Sequence, residues 1–454
     1  MHGANRRGCP FWQLVGWRRS LALLEQLTPS HTCLVPTTRV LSAPRIEAVQ
    51  RRTVRTLVGS QMLGGLGVAS GIAVSSLMAE QILGSPDLAG LANTAQVLGA
   101  ALLSIPAARL MAARGRRVGL VTAYLTGIVG AALAIAAAVL SSFPLLLVAT
   151  SLFGASTTAN NQARYAATDL AAPDHRGRAL SVVVWATTLG AVLGPNLVAP
   201  AGRLAEALGL PPLSGAFLFS LLGFLLAAAL LFVRMRPDPL LTARQVALDA
   251  GETERTHGSV RRGLRVIGQN PLAMLGLGAV AIGHTVMVSV MVMTPLHMDH
   301  GGAELRLIGL VISVHVFGMF AFSPVMGWFV DRVGGRRVVI GGAAILLIAS
   351  LISSRAPEGW SAGLVLGLFL LGVGWSSTLV AGSTLLTAAV AQYERPGVQG
   401  ASDLVMGLCA GLGGGLSGVV VGVWGYPTLC LIAAALSVAL GLRAAWPRAD
   451  IPVR

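Results

Sequence analysis

The chain has 454 residues, of which 54% are hydrophobic and 11% charged. Soluble domains carry roughly a quarter charged residues, so this composition excludes a water-soluble globular protein and indicates a chain that crosses a membrane many times. The net charge of +15 rests entirely on arginine, because lysine is absent, and its placement between apolar runs points to membrane topology rather than a nucleic-acid partner.

The apolar runs are continuous rather than alternating, which selects helices over a barrel. The expected fold is all-α, with twelve transmembrane helices in two six-helix halves. Residues 1–53 form an N-terminal cytoplasmic extension that opens "MHGANRRGCPFWQLVGWRRS" and has no apolar core long enough for a signal peptide. It reads as a disordered arm or as an overcalled start, with Val40 and Val49 as alternative first residues. The first half, 54–234, holds spans near 54–78, 87–108, 118–140, 144–167, 179–201 and 212–234. A polar, Arg-rich cytoplasmic linker follows at 235–270. The second half, 271–447, holds spans near 271–297, 307–330, 337–354, 361–388, 398–421 and 425–445, and a cytoplasmic tail closes the chain at 448–454. The four cysteines, Cys9, Cys33, Cys409 and Cys430, form no CxxC pair and imply no disulfide framework.

Arginine placement sets the orientation. With the N-terminus inside, the cytoplasmic loops hold Arg109, Arg114, Arg116, Arg117, Arg176, Arg178, Arg332, Arg336, Arg337 and Arg395, whereas the outer loops hold only Arg203, Arg306 and Arg355. Both termini are therefore expected in the cytoplasm of a bacterial cell with the chain in its inner membrane.

Polar points inside the spans are few. Span four ends "NNQARYAATD" (160–169), where Asn160 and Gln162 are candidates for a substrate cavity, and Arg164 and Asp169 are expected to snorkel at the cytoplasmic boundary. Span five carries "GAVLGPN" (190–196), whose small residues suit close helix packing. Asp403 opens span eleven, where a carboxylate suits a helix N-terminus. Span seven carries His284, Met287, Met291 and Met293, and span eight His315 and Met319. Steps of three and four share a helix face, so His284, Met287 and Met291 form one stripe and His315 and Met319 another. Met287 and His315 each lie fourteen residues from Gly301, which places them at similar height in an antiparallel pair. A lone histidine in a span equally suits a proton relay or a hydrogen bond between helices. Neutral thioether and imidazole together suit Cu(I). No phosphate-binding loop and no catalytic triad occurs, so an enzyme is not expected, nor is a tightly bound cofactor.

The loops repeat. "PAARLMAARGRRVGL" (106–120) follows span two, and "PVMGWFVDRVGGRRVVI" (324–340) follows span eight, a duplication typical of transporters with their pathway between the halves. The second copy resembles the GxLaDRxGRR motif of the major facilitator superfamily. The resemblance implies a secondary transporter whose halves rock about a central site. Asp331 would latch the cytoplasmic side against Arg176 or Arg178, with Arg332, Arg336, Arg337, Arg116 and Arg117 also serving the gate. In the first copy Ala108 and Ala112 replace the Gly and Asp, and the facing "RPGVQG" (395–400) is poor in charge, so this latch is expected to be neutral.

Met287-Val-Ser-Val-Met291 with His315-Val-Phe-Gly-Met319 is similar to the MxxxM and HxxxM pattern of the CcoA-like copper importers (the CalT family). That resemblance implies copper import, with Met287, Met291, His315 and Met319 as ligands and copper as cargo, by a monomer in the lipid bilayer. Uptake of a riboflavin-like organic solute and proton-coupled drug efflux are the alternatives, with His284, Met293, Asn160 and Gln162 lining the cavity.

Overall fold

A computed structural model describes residues 43–85, 88, 90–251 and 258–446. Most of the expected N-terminal extension and all of the tail lie outside the described residues. Those described contain only helices among their regular elements. They run α1 (Ala43–Leu83), α2 (Gly90–Val139), α3 (Phe143–Ala166), α4 (Arg176–Asn196), α5 (Val198–Ala207), α6 (Gly215–Arg234), α7 (Pro239–Asp249), α8 (Val260–Gln269), α9 (Pro271–His300), α10 (Leu305–Phe320), α11 (Ser323–Val333), α12 (Gly335–Ser354), α13 (Ala362–Ala388) and α14 (Arg395–Ala445).

Nine stretches among the described residues are long and apolar enough to cross a membrane. Two of them, α2 and α14, have 50 and 51 residues. If straight, each would be about 75 Å long, more than twice the hydrocarbon thickness. Each is instead two spans joined at a glycine with positive φ, Gly115 (φ 88°) and Gly425 (φ 80°), a conformation that L side chains resist. The 24-residue α3 completes the twelve expected spans. Its Thr150, Ser156, Thr158, Gln162 and Arg164 are buried, so their polarity meets protein rather than lipid. Span eight is divided into α10 and α11 just before Pro324, which has no N–H to continue the ladder.

Buried apolar side chains fall into two clusters. One is drawn from residues between Leu57 and Met235. The other is drawn from residues between Val260 and Ala444, joined by Ala108, Leu180 and Val184. Those three belong to α2 and α4, which pack against α14 and α11 respectively. Within the second cluster α13 packs against both α9 and α10. The linker is not featureless: it forms α7 and α8, capped by Asp238 and Ser259. Gly190 and Gly194 bring α4 against the α1 backbone, where an added Cβ would sit 2.5 Å from Leu66 N and from Ala69 Cβ. That explains the small residues of "GAVLGPN" as packing.

Candidate functional site

The two loop copies align at their positive-φ glycines, Gly115 and Gly334. Counting from them, Ser104 matches Ser323, Ala108 matches Gly327, Ala112 matches Asp331 and Arg116 matches Gly335. The contacts repeat accordingly. Ser323 Oγ donates to the Ser181 carbonyl at 3.1 Å, and Ser104 Oγ donates to the Gly400 carbonyl at 3.2 Å. Two seams therefore join the halves at the Arg-rich end of the bundle, α11 with α4 and α2 with α14.

In the α11–α4 seam Asp331 caps the α4 N-terminus. Its carboxylate accepts from the Gly177 N–H at 2.7 Å and from the Arg178 N–H at 3.0 Å. The Arg178 guanidinium stands 3.8 Å away and is half exposed, so backbone donors and the helix dipole carry this contact more than the ion pair. The Arg176 Nε is buried without a hydrogen-bond partner. Arg332 lies over the Trp328 ring at 5.2 Å. Arg336 donates to the Ala444 and Trp446 carbonyls, tying α12 to the end of α14, and Arg337 reaches only its own helix at Val333.

The α2–α14 seam is not neutral, contrary to the sequence expectation. Its charge sits one residue after the glycine, on Arg116, where the other copy has Gly335. Arg116 is fully buried and holds Asp169 with Nε at 2.8 Å and Nη2 at 3.2 Å. It also donates to Gln162 at 3.1 Å and to Gln399 of α14 at 2.5 Å. Gln162 in turn donates to Asp403 at 2.6 Å, and Arg164 donates to the other Asp403 oxygen at 2.7 Å. Two buried ion pairs, one of them between halves, are thus bridged by Gln162, while Gln399 only accepts from Arg116. Arg164 and Asp169 do not snorkel: they are 3% and 5% exposed and face inward. Asp403 is more than a helix-terminal charge, since it is the anchor of the cross-half pair. Gln162 is wholly buried, and both ends of its amide are engaged.

The absence of an acid at 112 has a reason in the facing helix. Pro396 stands where Gly177 donates its N–H, and proline has none to give. The linker occupies the space. Asp238 accepts from the Arg117 N–H at 2.7 Å, Arg244 donates to the Ala112 carbonyl at 2.7 Å, and Arg262 pairs with Glu394 at 2.6 Å. The Arg117 guanidinium lies 5.7 Å from the Phe232 ring centre.

Midway along the spans, a second group of side chains meets at α13. Trp375 donates its indole N–H to His284 Nδ1 of α9 at 2.8 Å and meets the Phe320 ring of α10 edge-on at 5.4 Å. His284 is half-buried. Asn160, also half-buried, accepts from Tyr124 OH at 2.6 Å. Of the sulfur and histidine residues, Met287 and Met319 are buried, and Met291 and Met293 half-buried, in or against the second apolar cluster. His315 is fully buried and turns toward α13: Nδ1 lies 2.8 Å from the Leu368 carbonyl, and Nε2 has no partner. Among the described residues no group of three or more His, Cys, Asp or Glu is placed to hold a metal. Sequence reasoning did not find Trp375 or Gln399. A lone tryptophan amid the apolar run of α13 was the available signal for the first, and nothing local marked the second.

The family model described as Major Facilitator Superfamily matches residues 57–305 and 275–452. The MFS-type transporter YdeG of Bacillus subtilis (strain 168), itself uncharacterized, is 36% identical over 416 residues, covering 90% of this chain and 95% of its own. The riboflavin transporter RfnT of Brucella anthropi is 28% identical over 358 residues, 78% of this chain and 85% of its own. Among solved structures, the human organic anion transporter MFSD10 superposes with a TM-score of 0.70 at 16% identity, covering 87% of this chain and 99% of the other.

Proposed function

Since the chain belongs to the major facilitator superfamily, we propose that this multi-pass membrane transporter imports a planar, aromatic organic solute of the riboflavin kind. The reading rests on the cluster of Trp375, His284 and Phe320 midway along α9, α10 and α13, at the depth where transporters of repeated halves bind cargo. Trp375 is buried in this state, its indole fixed by the hydrogen bond to imidazole, so it would offer a rigid stacking surface once the halves rearrange; offset or edge-on ring contacts are worth about 0.5–1.5 kcal/mol beyond area burial. The similarity to the riboflavin transporter supports the same cargo class. The arginine asymmetry supports the Arg-rich end, and with it both termini, on the cytoplasmic side of the bacterial inner membrane; we take the transporter to act as a monomer. The two closed seams then describe the outward-facing state, and import requires them to open. In cells lacking their own flavin uptake, labelled riboflavin should accumulate with the wild-type chain and at the vector level with Trp375→Ala at equal membrane abundance.

One observation favours a second reading, copper import. With His315 Nδ1–H donated to the Leu368 carbonyl, the Nε2 lone pair is left bare, the tautomer by which imidazole ligates metals. Met287, Met291 and Met319 would supply thioethers for Cu(I). Copper accumulation in an import-deficient strain tests it: loss with His315→Ala and partial retention with His315→Met support the site, whereas background copper in the wild type removes it.

A further inference from the structure

The linker helix α8 presents a basic pocket that the transport reading does not use. Ser259, Arg261, Arg262 and Arg265 line a cavity of about 340 Å³. Arg262 is paired with Glu394, so its charge is largely offset. Arg261 and Arg265 lie one turn apart on the exposed face and form no ion pair among the described residues. Leu264, on the same face, is 40% exposed. The opposite face is apolar and buried through Val260 and Ile267. A helix with arginines flanking an exposed leucine, ending one residue before the membrane span α9, has the character of an interfacial helix.

We propose that this pocket binds the phosphate of an anionic phospholipid headgroup in the leaflet at the Arg-rich end. Two guanidiniums without an ion-pair partner among the described residues supply the charge and fork geometry that phosphate accepts. The exposed Leu264 and the adjoining span favour a lipid over free phosphate, because a lipid also brings an acyl chain to that leucine. The site bears on the seam it covers. Gly258 packs on Ala108 and Ala112, Ser259 O lies 2.9 Å from where a Gly397 Cβ would stand, and Val260 packs at Gly400. A headgroup held by α8 therefore holds the α2–α14 seam closed.

The test uses purified full-length protein in nanodiscs of phosphatidylcholine, with and without a minor fraction of phosphatidylglycerol. Phosphatidylglycerol should raise the thermal midpoint of the wild type. With Arg261→Gln Arg265→Gln, retention of phosphatidylglycerol seen by native mass spectrometry should fall about thirty-fold. The exposed pair Arg45→Gln Arg52→Gln, which removes the same charge from α1, should leave both readings unchanged. Equal loss in the two double variants overturns the pocket in favour of unspecific charge. An equal midpoint rise from sodium phosphate in phosphatidylcholine discs overturns the lipid assignment, and no difference between the two disc compositions overturns the proposal as a whole. None of these readouts depends on which cargo is carried.

Discussion

Arg116 and Asp331 place one buried charge in each copy of the same loop, at different positions, and each determines what its seam can tolerate. In the first seam Asp403 anchors Arg164 across the halves at 2.7 Å, both side chains nearly inaccessible. Removing one partner strands a buried charge at a cost of about 3–5 kcal/mol, whereas replacing both by apolar groups is often neutral. Asp403→Leu should therefore lower the thermal midpoint of the purified protein sharply, and Arg164→Met Asp403→Leu should recover most of it. Equal midpoints for the single and double variants would show that the pair does not act as a pair. In the second seam Asp331 works through backbone N–H groups, so Asp331→Asn, which still has an acceptor oxygen, should be mild. Asp331→Ala should cost roughly 0.5–2 kcal/mol, as loss of a helix cap does. Labelling of a cysteine placed at the buried Ser181 should rise more for Ala than for Asn, and equal rises would return the contact to charge alone. The Asp331 partnership was legible in the sequence because the motif names both the acid and the facing helix start. The first network was not: its members come from three separate stretches, around 116, 162–169 and 399–403, and only the last has a helical spacing that links its members. Arg164 and Asp169 read as boundary residues because their depth was counted along α3 alone, without the helix that covers them.

At the level of the elements, the spans were legible because twenty apolar residues leave a helix little choice. What sequence reading underestimated was polarity that is buried. In sequence the α3 face reads as a cavity wall and 235–270 as a polar cytoplasmic linker, yet both are built into the closed seams. Glycine geometry tests this packing. Gly115 and Gly334 share a positive φ near 90° with extended ψ, which costs other residues roughly 1–3 kcal/mol. A Cβ at Gly115 would also meet the Asp238 carboxylate at 2.5 Å, whereas one at Gly334 meets open space. Gly115→Ala should thus lower the thermal midpoint more than Gly334→Ala, and Asp238→Ala should narrow the gap between them. An equal loss at the two glycines would mean that the linker contact is absent in solution.

For the whole molecule, the described contacts form one half of a transport cycle: both seams closed at the Arg-rich end, with an aromatic group midway. The superfamily was legible from one loop motif and its duplicate. The cargo was not, because fold does not fix function and the residues that suit a metal also suit packing. Met287 and Met319 illustrate this, lying in the apolar cluster of the second half whatever else they do. Trp375 is the residue on which the organic-solute reading depends, since it touches both His284 and Phe320. The most direct test is accumulation of radiolabelled riboflavin in cells without their own uptake system, comparing wild type and Trp375→Ala at matched membrane levels. The account predicts concentrative uptake by the wild type, abolished by the substitution. Background accumulation in the wild type, or equal uptake by both, would contradict it.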